Sequence, residues 1–228
     1  MAQKIDIVTD DGIKISGSWV TAPTTIGAAV LVHSFPLTKE SWGSFQRVLA
    51  RRGIASLAID LRGHGESNKT ENGAEIDYRS FKDDEHVSSV SDLGAAYAWI
   101  RTRGIDRERI AFVGASIGAN LCLRFIANEP TVPVGVLLSP GTVYHGVATM
   151  DVIDAIAPHQ AMYVIASSED DDDSVEASAA IIDALEVDTK VFKKLKQAGH
   201  GTAMLEGDEA LMAEIADWIR DRIQNFSY

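Results

Sequence analysis

Of the 228 residues, the group that most directly suggests chemistry is Gly114-Ala115-Ser116-Ile117-Gly118. It follows an apolar run at 109–114 and opens a helical pattern at 117–128. In a G-x-S-x-G arrangement the two glycines let neighbouring backbone crowd a sharp strand-to-helix turn. The serine then stands above the strand, near the positive end of the following helix. A serine hydroxyl is a poor nucleophile near neutral pH and needs a base to take its proton. Histidine suits that task because its ordinary pKa is about 6.5, and a carboxylate orients the imidazole and stabilises its cation. Ser116 is the expected nucleophile. Candidate partners are His33, His64, His86, His145, His159 and His200, with the carboxylates Glu169-Asp170-Asp171-Asp172-Asp173.

Positioning such groups requires a scaffold, and the hydrophobic pattern describes one. Runs at 4–9 and 13–20 flank Asp10-Asp11-Gly12, a hairpin signal because glycine accepts the positive φ such turns require. Nearly continuous apolar runs follow at 27–33, 54–60, 109–114, 134–139 and 161–167, as in strands buried on both faces. A last run at 189–195 alternates less cleanly, as an edge strand would. Helical patterns fall at about 41–52, 117–128, 175–186 and 206–224. A further one is marked by Val87, Val90, Leu93, Gly94, Tyr97 and Ile100 at three- and four-residue spacing. The alternation predicts an α/β fold in which residues 1–228 form a single domain. A starting antiparallel hairpin leads into a mostly parallel sheet with helices on both faces. The segment 140–158 is too long for a tight connection and too short for a cap domain, which suggests a cover over a site.

Several ordered motifs resemble the α/β-hydrolase fold family, and the resemblance runs along nearly the whole chain. His33-Ser34-Phe35-Pro36 resembles the family's His-Gly-x segment, and Asp60-Leu61-Arg62-Gly63-His64-Gly65-Glu66-Ser67 its D-x-R-G-H-G-x-S stretch. Gly114–Gly118 matches its nucleophile elbow. Ser167-Ser168-Glu169-Asp170 resembles its G-x-x-D acid loop, and Ala198-Gly199-His200-Gly201 its histidine loop. Ser34 and Ser167 stand where the family has glycine. The resemblance implies a catalytic triad of Ser116, His200 and an acid, in the family's Ser…Asp…His order. Asp170 falls at the family's acid position, with Asp171 the nearest rival. It also implies an oxyanion hole built from the backbone N–H groups of Phe35 and Ile117. His33 and His64 are then expected to organise loops, His86 to be solvated at a helix start, and His145 and His159 to flank the insertion.

The implied activity is a serine hydrolase cleaving a carboxylic ester of a small-molecule acyl substrate, with no cofactor and no metal. Thioesterase, amidase and peptidase activities would use the same triad, as would a cofactor-free haloperoxidase, and a non-catalytic binding protein would keep the same fold. Composition narrows the field further. The chain carries 21 Lys and Arg against 33 Asp and Glu, a net charge of −12, which disfavours nucleic acid or an anionic membrane as partner. No Walker-type phosphate loop and no H-E-x-x-H is present. Counting twelve residues from Asp170 or Asp171 reaches Ile181 or Ile182 rather than the Glu a calcium loop needs. A single cysteine, Cys122, and an N-terminal stretch without an apolar signal suggest a cytoplasmic protein.

Overall fold

The computed structural model describes residues 2–168 and 174–226. The chain opens with β1 (Gln3–Val8) and β2 (Ile13–Val20), then β3 (Gly27–Val32), α1 (Gly43–Arg51), β4 (Ile54–Ile59) and the short β5 (Lys69–Thr70). Next come α2 (Asp83–Ser88), α3 (Val90–Arg101), β6 (Ile110–Ala115), α4 (Ile117–Asn128) and β7 (Val134–Leu138). A small pair, β8 (Val143–Tyr144) and β9 (Val147–Ala148), precedes β10 (Ala161–Ser167), α5 (Ser174–Ala184), β11 (Lys190–Leu195) and α6 (Glu209–Gln224).

The main sheet has the order β1-β2-β4-β3-β6-β7-β10-β11, with β5 paired to β2. β1 and β2 are antiparallel, as are β2 and β4, and every pairing from β4 to β11 is parallel. The opening hairpin turns at Gly12, whose φ of 81° is open to glycine and strained for other residues. The fold expected from the sequence is therefore the observed one.

Side chains alternate between two cores because successive strand residues point to opposite faces. On one face Ala28, Val30, Val32, Phe112, Met162 and Val164 pack against residues of α3, α4 and α5. On the other, Ala29, Leu31, Val113, Ala115, Tyr163 and Ile165 pack against α1 and α6. β3, β4, β6 and β7 are buried along their whole length, which explains their unbroken apolar runs. Each fully buried Val, Leu or Ile contributes about 1.5–3 kcal/mol, so the sheet centre is the rigid base of the molecule. β11 pairs only with β10 and is half exposed, as an edge strand should be. Cys122 lies fully buried in α4 among apolar neighbours, and burial raises its thiol pKa well above the ordinary value.

Candidate active site

β6 and α4 are joined at Ser116, and the join is tight. Ser116 has φ 54° and ψ −124°, a combination that favours glycine. Its N–H donates to the Leu138 carbonyl at 2.8 Å and its carbonyl accepts from the Ala119 N–H at 2.8 Å. The flanking glycines make the turn possible. A Cβ on Gly114 would lie 2.2 Å from the Gly118 carbonyl oxygen, and one on Gly118 would lie 2.4 Å from the Val32 oxygen. The second contact also shows that the first turn of α4 packs on the end of β3. Ser116 is 9% exposed, so the turn rather than a protruding loop presents its hydroxyl.

The segment after β3 carries Phe35. Among the described residues its N–H meets no protein acceptor. Ile117 opens α4, and the first N–H groups of a helix have no intrahelical acceptor. The contact of Gly118 with Val32 and His33 brings these two donors to the same end of the sheet. His33 and the D-x-R-G-H-G-x-S segment fix that loop. His33 Nε2 accepts from the Leu61 N–H at 3.0 Å, so the proton sits on Nδ1, which donates to the Ser34 carbonyl at 3.0 Å. Full burial lowers the His33 pKa to about 4 and keeps the ring neutral. Asp60 accepts from the Lys39 N–H at 2.8 Å, from Lys39 Nζ at 2.6 Å and from the Glu66 N–H at 2.9 Å. Gly65 sits so close that a Cβ there would meet Asp60 Oδ2 at 2.4 Å.

His200 lies at the far end of the β11 connection, where a 3-10 turn begins. A Cβ on the next residue, Gly201, would lie 3.3 Å from the Ala115 Cβ and 3.4 Å from Ser34 Oγ. The histidine loop is thus seated between the residue before Ser116 and the residue before Phe35. Asp170 and its rival Asp171 lie outside the described residues.

The segment 140–158 forms the β8–β9 hairpin and a 3-10 turn at 153–155. Asn120 on α4 holds the hairpin: its Nδ2 donates to the Val147 carbonyl at 2.8 Å and its Oδ1 accepts from the Gly141 N–H at 3.0 Å. Tyr144 pairs with Val147 across a two-residue turn in which His145 and Gly146 have φ 45° and 74°, the geometry of a type I′ turn. The turn tip reaches two parts of the site. The Tyr144 ring is 6.3 Å from that of His200, nearly perpendicular to it, and the His145 ring is 5.2 Å from Phe35.

Phe35 is ringed by His64 at 4.5 Å, Tyr78 at 5.1 Å, His86 at 5.1 Å and His145. His64 stacks on Tyr78 at 3.7 Å, and burial lowers its pKa to about 3. His86 corrects the sequence expectation. It is buried in α2 against Phe35, Phe81 and His145 rather than solvated, because α2 turns back onto the loop after β3. Burial, then the neighbouring His145, lower its pKa. His145 is exposed, and His159 lies apart against the Pro130 carbonyl. A cavity of about 610 Å³ adjoins the ring cluster, with Tyr78, Arg79, Phe81 and Glu85 in its wall, but neither Ser116 nor His200 lines it. Among the described residues, no group of three or more His, Cys, Asp or Glu is arranged to hold a metal.

The fold and this strand–turn–helix site define an α/β hydrolase. A model of the alpha/beta hydrolase family matches residues 29–162, and the chain belongs to that family. In sequence it is 29% identical over 113 residues to a putative non-heme chloroperoxidase of Synechocystis sp., covering 49% of this chain and 36% of that protein. It is 24% identical over 124 residues to a non-heme chloroperoxidase of Burkholderia pyrrocinia, covering 54% and 38%. The matched part is thus well under half the length of either relative. Among solved structures, an alpha/beta hydrolase from Penicillium sp. sh18 superposes with a TM-score of 0.80 at 14% identity, covering 98% of this chain and 99% of that one. An esterase from Pyrococcus furiosus superposes with a TM-score of 0.79 at 17% identity, covering 98% and 93%. Both share the fold. None of the described helices is long and apolar enough to cross a membrane.

Proposed function

We propose that this protein is a serine hydrolase that cleaves carboxylic esters of small acyl substrates through an acyl-enzyme. His200 takes the Ser116 proton as the hydroxyl attacks the ester carbonyl, then returns it to the departing alcohol. The same imidazole next activates a water, which releases the acid and regenerates Ser116. Asp170 is the proposed carboxylate behind His200. The Phe35 and Ile117 N–H groups are proposed to receive the oxyanion, where one such donor contributes about 3 kcal/mol to transition-state stabilisation.

The observation that carries this reading is the backbone of Ser116. A residue held at φ 54° between two glycines that tolerate no Cβ is a strained residue kept at a strand-to-helix turn. Such strain concentrates at functional sites. The seating of Gly201 against Ala115 and Ser34 supports His200 as the base. The names of the solved esterases agree with ester cleavage, while those of the sequence relatives make halide peroxidation the second reading.

A fluorophosphonate probe and a panel of p-nitrophenyl esters, thioesters and aminoacyl amides test the proposal. Covalent labelling and ester turnover that both vanish in Ser116→Ala are expected. Halide oxidation with hydrogen peroxide in the absence of ester turnover would favour the second reading. Folded protein that neither labels nor turns over any substrate would indicate a binding protein.

A further inference from the structure

The loop that carries His200 is irregular. Between the end of β11 and the 3-10 turn at Gly201 no regular structure forms, and Gln197, Gly199 and Gly201 all have positive φ, at 52°, 75° and 58°. Yet a base must sit within about 2.6–3.2 Å of the atom whose proton it removes. A displacement near 1 Å can cost roughly a hundredfold in rate.

Two buried hydroxyls hold this loop from below. The Ala198 N–H donates to Ser167 Oγ at 3.0 Å, and the Gly201 N–H donates to Ser139 Oγ at 3.0 Å. The anchored amides stand two residues before and one residue after His200. Both serines are fully buried, at the C-terminal ends of the adjacent strands β10 and β7. Ser139 is itself strained, with φ 49°, and its N–H is fixed to the Ile165 carbonyl at 2.8 Å. Its carbonyl faces the Tyr144 hydroxyl at a longer 3.4 Å, so the hairpin tip leans on the same residue. An irregular loop with two amides bound to the rigid sheet centre is restrained on both sides of the residue it carries.

We propose that Ser139 and Ser167 form a clamp that positions His200. They are positioning residues: they act through the loop backbone and touch neither substrate nor the reacting atoms. The inference rests on His200 serving as the base in the hydrolase reading above. It gives a purpose to the hydroxyl at Ser167, where the family resemblance leads one to expect glycine.

The test uses Ser139→Gly, Ser167→Gly and the double variant. Glycine accepts the φ of residue 139, so the change removes the hydroxyl without adding backbone strain. With p-nitrophenyl acetate, kcat is expected to fall roughly tenfold in each single variant and further in the double, with KM within about twofold, as loss of an interaction worth about 1.4 kcal/mol predicts. Amide hydrogen exchange at Ala198 is expected to quicken in Ser167→Gly, and at Gly201 in Ser139→Gly, while amides of β6 keep their protection. A lowered urea midpoint with kcat and both exchange rates unchanged would mean that the serines only stabilise the fold, and would overturn the clamp. So would faster exchange with kcat intact in the double variant. If the wild-type protein turns over no ester and takes no label, the hydrolase reading fails. The exchange rates then still decide the clamp: unchanged protection of Ala198 and Gly201 rejects it.

Discussion

The backbone of Ser116 makes a prediction that separates strain from chemistry. A side chain held at φ 54° and ψ −124° costs about 1–3 kcal/mol, whereas glycine bears that conformation without steric cost. Glycine has a cost of its own, because its unfolded chain has more freedom to lose, by about 0.5–1 kcal/mol. Ser116→Ala and Ser116→Gly both remove the hydroxyl and both are expected to abolish ester turnover. They differ in the Cβ, so the difference between them isolates the strain. Taking the middle of each range, Ser116→Gly should be more stable than Ser116→Ala by about 1 kcal/mol. In a chain of this size that corresponds to a rise in Tm of about 2–4 °C. Urea unfolding followed by circular dichroism reads the difference directly, provided that the two variants share one m-value. None of the three hydrogen bonds of the Ser116 backbone depends on its side chain, so both variants keep them. A Ser116→Gly protein no more stable than Ser116→Ala would show that the turn carries no strain, and would remove the main support for the nucleophile.

Further predictions follow from neighbouring contacts. Gly118→Ala forces a Cβ to 2.4 Å from the Val32 oxygen and 2.6 Å from that of His33, both backbone, so a loss of about 2–3 kcal/mol in urea unfolding is expected together with reduced kcat. Asp92 is fully buried and accepts from Arg62 Nε, Nη2 and backbone N–H at 2.8–2.9 Å. Asp92→Asn should therefore cost about 3 kcal/mol, partly relieved because Asp11 still binds the guanidinium at 2.7 Å; a change below 1 kcal/mol would refute this. His33 and His64 have folded pKa values lowered from 6.5 to about 4 and about 3, so their stabilisation is complete above 6.5 and declines as pH falls below it. By pH 4 each should have lost roughly 3 kcal/mol, and in His64→Phe the loss between pH 6.5 and 4 should shrink by about half. An unaltered pH slope in that variant would count against the assignment.

Elements whose signals are local can be read along the chain. Strand and helix positions followed from periodicity, because burial on both faces or on one stripe leaves its pattern within a few residues. The elbow was legible for the same reason: Gly114, Ser116 and Gly118 are neighbours in the chain as well as in space, and the turn needs all three within five residues. The tertiary structure decided the contacts between distant segments. His86 looked like a solvated residue at a helix start, and only the return of α2 onto Phe35 buries it. The segment 140–158 stood out by its length, but nothing local said that it would form a hairpin whose tip meets both Phe35 and His200. The anchoring of the histidine loop is the clearest case. Ser139 and Gly201 are 62 residues apart, and a buried hydroxyl that accepts one amide proton imposes no periodicity on the chain around it. Hydrophobic burial is repetitive and can be read along a sequence, whereas a single directional hydrogen bond depends on where two backbones meet.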